Sequence, residues 1–259
     1  MKKLAAILIL LATLLVGVVW WQHRTASHPG TTALTVFCAA GLKQPVEAIA
    51  QQYQRESGVE VRLQFGGSGT LLGQLRVVKQ GDLFLAADDG VVADAQKAGI
   101  LREILPLVRQ RPVIAVRPGN PKHIHAIADL LRDDVKVALA NPDAASISRV
   151  SRVVLGETWT KLAAHAAVMK PSVTEIATDL ALGAVDAAIV WDSIVGQFKV
   201  EAVEVPGLSA HSENASAAVL TFSTQAAEAL KFARYLAAPE KGGAIFKANG
   251  FTPAAPRAP

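Results

Sequence analysis

Short apolar runs and helix-like segments alternate along the first part of the chain. Apolar runs at 33–38 and 82–87 predict buried strands, and the alternating pattern at 59–65 predicts a half-exposed strand. Apolar residues at helical spacing follow each run, and the first two helices are predicted to stop at Gly58 and Gly81. The resulting βαβαβα order predicts a mostly parallel sheet with helices on its faces.

A second unit begins near Pro112. Apolar runs at 113–117, 135–140 and 186–191 predict strands, with helices between them, the last of these at 173–182. This order again predicts an α/β unit of the parallel type.

A polar passage at 207–215 separates the second unit from the end of the chain. A strand is predicted at 217–222, followed by two helices at 225–237 and 239–248. The last residues, 253–259, are rich in proline and alanine and are expected to form a loose tail.

The N-terminus is apolar behind a short basic start. Lys2 and Lys3 precede an almost unbroken apolar stretch at 4–21. This pattern is typical of a Sec-type signal that directs the chain out of the cytoplasm. The stretch is also about as long as the shortest membrane-spanning helices, so residues 1–30 are predicted to be either a signal peptide or a retained N-terminal membrane anchor.

Composition narrows the classes of function. Apolar residues make up 51% of the 259 residues, which is typical of a globular chain. The net charge of +4 is spread without a basic block and aromatic residues make up only 5%, so we expect no nucleic-acid partner. The single cysteine, Cys38, excludes an intrachain disulfide and a cysteine-cluster metal site, and its apolar surroundings predict a buried core residue.

Four turns are expected to meet at one cleft, because ligands of open parallel sheets bind beyond the carboxyl ends of the strands. These turns lie at 39–41, 66–70, 141–148 and 191–193. Small residues, hydroxyls and bare backbone dominate them, and carboxylates suited to paired acid–base work are nearly absent. Such a composition favours holding an anion on helix N-termini over transforming a substrate.

The glycine-rich stretch FGGSGTLL at 65–72 joins a predicted strand to a predicted helix. Ser68 and Thr70 stand at the expected start of that helix. Two interpretations are open at this point. The turn either holds an anion on backbone N–H groups and hydroxyls, or it is an ordinary turn with Ser68 as the helix N-cap.

Catalytic motifs fit the sequence poorly. A nucleophile elbow needs Gly-x-Ser-x-Gly, and the motif around Ser68 has Thr70 at its last position. His123 and His125 lie in a predicted turn without carboxylates at convincing metal-ligand spacing, and they are predicted to be solvated. The Gly-Lys-Ser/Thr of a Walker motif does not occur in the sequence.

Six segments taken in order carry a family resemblance. They are VFCAAGL (36–42), FGGSGTL (65–71), GDLFLAAD (81–88), NPD (141–143), DAAIVW (186–191) and AIFKANGF (244–251). Together they resemble the periplasmic substrate-binding proteins of molybdate ABC transporters, and the resemblance covers nearly everything from 31 to 252. No single motif is specific, but six in the same order are.

The resemblance implies an α/β fold, the type II periplasmic binding protein clamshell, with two α/β domains, mostly parallel sheets and a hinge between them. Its implied segments are domain 1 (31–111), domain 2 (112–205), a return to domain 1 (206–252) and the tail (253–259). The implied function is capture of a tetrahedral oxyanion, molybdate or tungstate, and its delivery to an ABC transporter permease. This implies a monomer with no catalysis, no cofactor and no protein-ligated metal cation. A membrane-tethered oxyanion sensor of the same fold and a sulfate-type anion binder remain as alternatives.

The family's ligand-binding positions fall on Gly41, Ser68, Ile147, Val173 and Trp191. Gly41 stands where the family has serine, so it offers only its backbone N–H. Trp191 stands where the family has tyrosine, and its indole N–H would donate from a different place. Ser146 and Ser148 flank Ile147, and we add Ser148 to the candidate site as a compensating hydroxyl.

Overall fold

The computed structural model describes residues 33–254. The predicted signal or anchor at 1–30 and the tail residues 255–259 lie outside the described residues. Within 33–254, no helix is both long enough and apolar enough to cross a membrane.

Strands and helices alternate through most of the described chain. The strands are β1 (Ala33–Ala39), β2 (Glu60–Gly66), β3 (Leu83–Ala86), β4 (Leu101–Gln110), β5 (Pro112–Val116), β6 (Val137–Ala140), β7 (Val168–Lys170), β8 (Ala187–Trp191), β9 (Glu201–Val203), β10 (Glu213–Leu220) and β11 (Thr252–Pro253). The α-helices are α1 (Lys43–Ser57), α2 (Ser68–Val78), α3 (Asp89–Lys97), α4 (Ser146–Leu155), α5 (Glu157–His165), α6 (Val173–Ala181), α7 (Val195–Phe198), α8 (Pro206–Ser209), α9 (Ala226–Ala237) and α10 (Gly242–Ala248). Short 3₁₀ turns lie at Ala40–Leu42, Ile127–Leu131 and Asp192–Ile194.

The first sheet has six strands in the order β11-β4-β10-β3-β1-β2. β1 pairs in parallel with β2 and β3, so that Val36 lies between Leu63 and Leu83. β10 runs antiparallel to β3 and β4, and β11 runs antiparallel to β4. The sheet is therefore mixed, and not mostly parallel as predicted, because the returning chain inserts β10 between β3 and β4.

The second sheet has five strands in the order β7-β6-β8-β5-β9. β6 pairs in parallel with β7 and β8, whereas β5 runs antiparallel to β8 and β9. This sheet is mixed as well, because β5 enters from the first sheet in the opposite direction to β6 and β8.

Alternate residues of β1 enter two cores, one on each face of the first sheet. Leu34, Val36 and Cys38 pack on the face covered by α1, α9 and α10, whereas Phe37 packs on the face covered by α2 and α3. Side chains of a strand alternate between faces, so a strand buried on both faces is almost entirely apolar, and Thr35 is the one polar residue of β1. A third core surrounds the second sheet. Cys38 is fully buried, as predicted, and burial raises the pKa of its thiol.

Two passages of the chain connect the sheets. β4 ends at Gln110 and β5 begins at Pro112, so Arg111 alone separates strands of different sheets. The buried side chain of Gln110 donates from Nε2 to the Ala87 carbonyl (2.9 Å) and accepts from the Ser193 hydroxyl (3.1 Å). The chain returns to the first sheet between β9 and β10. We call the part built round the first sheet the first lobe, and the part built round the second sheet the second lobe.

Several strands are not predicted by the hydrophobic pattern. β4 carries Arg102 and Glu103 side by side, and its pairing with β10 shifts register near Pro106. β7 and β9 have only three residues each, too few to show a period. β10 begins at Glu213, inside the polar passage, and not at 217 as predicted.

Phe232→Ala tests the packing of the C-terminal helix α9 against the first sheet. The Phe232 ring is fully buried and lies 4.8 Å from the Tyr53 ring, centroid to centroid. We expect the free energy of unfolding to fall by about 3–5 kcal/mol, the usual cost of deleting a buried ring. Urea denaturation measures it, and Val77→Ala, at a side chain 83% exposed, is the control, expected to change stability by less than about 0.5 kcal/mol. Equal effects of the two changes would contradict the packing described.

Candidate functional site

A small cavity of about 20 Å³ lies between the two lobes, at the carboxyl ends of β1, β2, β3 and β8. Its lining residues are Ala39, Ala40, Gly41, Gly66, Gly67, Ser68, Ala87, Ala145, Ser146, Ile147, Ser172, Val173 and Trp191. Larger hollows exist, including one of about 440 Å³ between Asp89 and Arg109. That hollow is lined by residues of the first lobe and the return segment, and the lining includes charges of both signs.

Helix starts from both lobes surround the small cavity. The first lobe contributes the 3₁₀ turn at Ala40–Leu42 and the first residue of α2, and the second lobe contributes the first residues of α4 and α6. The first N–H groups of a helix have no partner inside the helix, and the helix dipole adds partial positive charge at this end. The cavity wall is thus positive without carrying an ion.

Ser68 is the first helical residue of α2. Gly67 occupies the N-cap position and no side chain caps this helix, so the interpretation of Ser68 as an N-cap is wrong. The Ser68 Oγ instead accepts a hydrogen bond from the Ala87 N–H (3.2 Å). Its own O–H hydrogen stays available as a donor, because accepting uses only a lone pair.

Ile147 and Val173 line the cavity at the starts of their helices. Both are buried and their side chains belong to the core of the second lobe. Ile147 is the second residue of α4 and Val173 the first residue of α6. The polar group that each offers to a ligand is therefore the backbone N–H.

Gly41 and Trp191 face each other across one wall of the cavity. A Cβ placed on Gly41 would lie 3.3 Å from Val173 Cγ1 and 3.7 Å from Trp191 Cδ1. The buried indole therefore takes up space beside the position where the family's serine would project. The two departures from the family's pattern are structurally coupled, since the larger ring lies against the smaller residue.

Ser148, the sixth candidate, does not line the cavity. It is fully buried, and its Oγ accepts a hydrogen bond from the Ala140 N–H (3.1 Å) at the end of β6. Because α4 begins at Ser146, the third residue of the helix turns toward β6. The compensating hydroxyl expected at Ser148 is therefore engaged inside the second lobe.

Two lining serines have partners of their own. Ser146 donates its hydroxyl to the buried carboxylate of Asp88, which also accepts from the Val91 N–H (2.7 Å) as the N-cap of α3. Ser172 is the N-cap of α6, and its hydroxyl donates to Glu175 Oε1 (2.7 Å). Ser172 is absent from the predicted site, although Ser-x-x-Glu before a helix is the signature of a capping box and marks a helix start.

No charged side chain lines the small cavity within the described part of the chain. Residues 33–254 also contain no group of three or more His, Cys, Asp or Glu side chains placed to hold a metal ion. His123 and His125 lie outside the cavity lining. The arrangement can hold a ligand through neutral donors, and it presents no acid–base pair to a substrate.

The sequence matches a family model described as bacterial extracellular solute-binding protein over residues 34–252. The molybdate-binding protein ModA of Mycobacterium tuberculosis is 29% identical over 239 residues, which cover 89% of this chain and 90% of that protein.

Solved structures show the same architecture. The periplasmic molybdate-binding protein of Azotobacter vinelandii is similar with a TM-score of 0.73 at 20% identity, over 86% of this chain and 100% of that chain. The sulfate-binding protein SubI of Mycobacterium tuberculosis is similar with a TM-score of 0.76 at 20% identity, over 87% of this chain and 88% of that chain. At such identities the likeness concerns the fold alone, and it confirms the expected clamshell.

Ser148→Ala is expected to lower stability without changing anion affinity. It removes the acceptor of the buried Ala140 N–H, and an unsatisfied buried donor costs about 1–3 kcal/mol. Urea denaturation gives the stability, and titration calorimetry with molybdate gives the affinity. The matched control is Ser151→Ala on the same helix, which removes only a donor to the Ile147 carbonyl. A lower molybdate affinity for Ser148→Ala at unchanged stability would place its hydroxyl at the ligand.

Proposed function

The chain belongs to the bacterial extracellular solute-binding protein family, and on that premise we propose that it captures a tetrahedral oxyanion, molybdate or tungstate, between its lobes. The observation that carries this proposal is a cavity without charged residues that is ringed by the starts of three helices and a 3₁₀ turn. Gly41, Ser68, Ile147, Val173 and Trp191 are the proposed ligand contacts.

Neutral donors are sufficient to hold a divalent anion. Hydrogen bonds to an ionised acceptor are about twice as strong as those between neutral groups. Each helix start adds the favourable field of its dipole, and a hydrogen bond between packed lobes is electrostatically stronger than one in bulk water. Several such donors converging on one anion stabilise it without a lysine or arginine in contact.

The size of the cavity favours a small ion. A cavity needs about 10–15 Å³ to hold a single water, so one of 20 Å³ holds a ligand of only a few atoms. Sites for larger organic ligands run to about 300–1,000 Å³. A sugar, an amino acid or a peptide does not fit between the lobes in this closed geometry.

The donors favour an oxyanion that carries no proton. A protonated oxyanion such as hydrogen phosphate needs an acceptor for its hydrogen, and a carboxylate is the usual acceptor. None lines the cavity within residues 33–254. Molybdate, tungstate and sulfate are fully deprotonated at neutral pH and therefore match the donor set.

Molybdate ranks above sulfate because a relative that is similar along almost the whole chain is named as a molybdate-binding protein. Sulfate, the ligand named for one fold neighbour, is the runner-up. Sulfate is the smaller ion, so a cavity that fits molybdate leaves gaps around it. Molybdate and tungstate are nearly equal in size, and we propose that both bind.

Delivery to a membrane permease completes the proposed role. The family description, bacterial extracellular solute-binding protein, supports a place of action outside the cytoplasm. Transfer of the ion to an ABC transporter is part of the same proposal. A tethered sensor would use the same cavity and would differ in its partner. Co-purification with a permease and ion uptake by a deletion strain separate these two roles.

The ligand is tested by titration calorimetry of the protein against molybdate, tungstate, sulfate and phosphate. We expect heat with molybdate and tungstate, weaker binding of sulfate because of its size, and the weakest response with phosphate because of its proton. Absence of heat with all four ions would refute the proposal. Heat with sulfate alone would assign the protein to sulfate.

Ser68→Ala is expected to weaken molybdate binding by about 1.5–3 kcal/mol, the scale of a hydrogen bond to a charged group. That loss corresponds to a dissociation constant roughly 10- to 150-fold higher. Calorimetry measures it, and urea denaturation checks stability, because the same hydroxyl supports the Ala87 N–H. Unchanged affinity would mean that Ser68 serves only Ala87.

A further inference from the structure

The first turn of α2 touches the opposite lobe through its backbone. The carbonyl of Ala144, in the second lobe just before α4, accepts hydrogen bonds from the N–H groups of Gly69 (2.9 Å) and Thr70 (3.3 Å). These N–H groups belong to the set that a helix leaves without internal partners. The N-terminus of α2 thus has two contacts, because Ser68 lines the cavity and the next two residues donate their N–H groups to the second lobe.

Two glycines permit this approach. A Cβ on Gly69 would overlap the Asp143 carbonyl oxygen, and a Cβ on Gly67 would lie 2.7 Å from the Pro171 oxygen and still closer to that of Ala144. All three oxygens are backbone atoms of the second lobe, so they cannot swing aside as a side chain would.

The backbone conformation of these glycines does not itself require glycine. Gly67 has φ −66° and ψ 142°, and Gly69 lies inside α2 without a positive φ. Any residue adopts such angles. The need for glycine at 67 and 69 therefore comes from the opposite lobe, and it exists only while the lobes are closed.

We propose that the first turn of α2 is a closing latch, which holds the lobes together by donating the Gly69 and Thr70 N–H groups to the Ala144 carbonyl. The inference rests on the proposed function, because closure governs affinity only if the cavity between the lobes binds the ligand. Gly69 is a positioning residue, since it does not line the cavity.

Side chains reinforce the latch on the same edge of the cleft. Arg149 on α4 pairs with Asp94 on α3 (Nη1–Oδ2 2.8 Å), and this hydrogen bond holds the pKa of Asp94 below its usual value. Ser146 donates to Asp88 between the same two helices. These contacts join residues of different lobes, so they favour the closed state over the open one.

The latch and the ligand use neighbouring N–H groups of one helix turn. An anion that orients Ser68 also orients Gly69 and Thr70, one and two residues along the rigid start of α2. Binding therefore places the two latch donors against Ala144, and the latch in turn keeps the cavity shut. Blocking the latch should lower affinity and closure together.

The test compares Gly69→Ala with Gly73→Ala. Both place alanine in α2, which favours the helix, but a Cβ on Gly73 has no neighbour within 4 Å. Titration calorimetry with sodium molybdate gives affinity. The distance between the lobes is measured with and without molybdate by pulsed electron–electron double resonance. The spin labels are placed at Val77→Cys in the first lobe and Leu182→Cys in the second lobe, both exposed positions. Cys38 is buried, so the labels go to the introduced thiols.

We expect Gly69→Ala to bind molybdate about tenfold more weakly or worse, through loss of two hydrogen bonds and the added overlap. With and without molybdate, the fraction of molecules with the short interlobe distance should be smaller for Gly69→Ala than for Gly73→Ala. Gly73→Ala should match the unmutated protein. Equal distance distributions for the two variants would overturn the latch, as would a label pair that never shows the short distance in the unmutated protein.

Two further outcomes separate the latch from the ligand. If the unmutated protein gives no heat with molybdate but the two variants differ in distance, the proposed ligand fails and the latch stands. If Gly69→Ala and Gly69→Ser both fail to fold while Gly73→Ala folds, position 69 rejects a side chain even with the lobes apart. That result overturns the latch, which predicts the overlap only between closed lobes.

Discussion

The organisation of this molecule depends on the N–H groups that have no partner inside their own helix, at the helix starts. Three helices and a 3₁₀ turn from two lobes direct these groups at one cavity of about 20 Å³. An uncharged ring of donors is costly to bury without an acceptor, and an anion supplies that acceptor. The order of strands and helices along the chain serves this constraint, because the carboxyl ends of β1, β2, β6 and β7 lead the chain to those helix starts.

Much of the fold can be predicted from the sequence where a period is long enough to read. The strands at 33–38, 59–65, 113–117 and 186–191 are confirmed to within two residues. β4 cannot be predicted because Arg102, Glu103 and Pro106 interrupt its apolar pattern. The mixed character of the sheets cannot be predicted either, because the apolar pattern of a strand does not show which strands it pairs with or in which direction.

The candidate site, too, can be predicted from the sequence only in part. The turns at strand ends can be predicted, and five of the six candidate residues do line one cavity. Ser148 shows what a motif leaves undetermined, because the direction of its hydroxyl depends on α4 beginning at Ser146. Gly41 and Trp191 both depart from the family's pattern, and only the structure relates the two departures, because it places the indole beside the glycine.

One chain of hydrogen bonds runs from the cavity to the crossing between the lobes. The Ser68 hydroxyl accepts from the Ala87 N–H, the Ala87 carbonyl accepts from Gln110, and the Gln110 side chain accepts from Ser193 in the second lobe. Gln110 stands beside Arg111, the one residue between β4 and β5. The proposed ligand contact at Ser68 is thus one end of a chain of hydrogen bonds that reaches the passage from β4 to β5. Under the proposed function, ligand occupancy and the angle between the lobes are therefore expected to change together, so that a measurement of either carries information about the other.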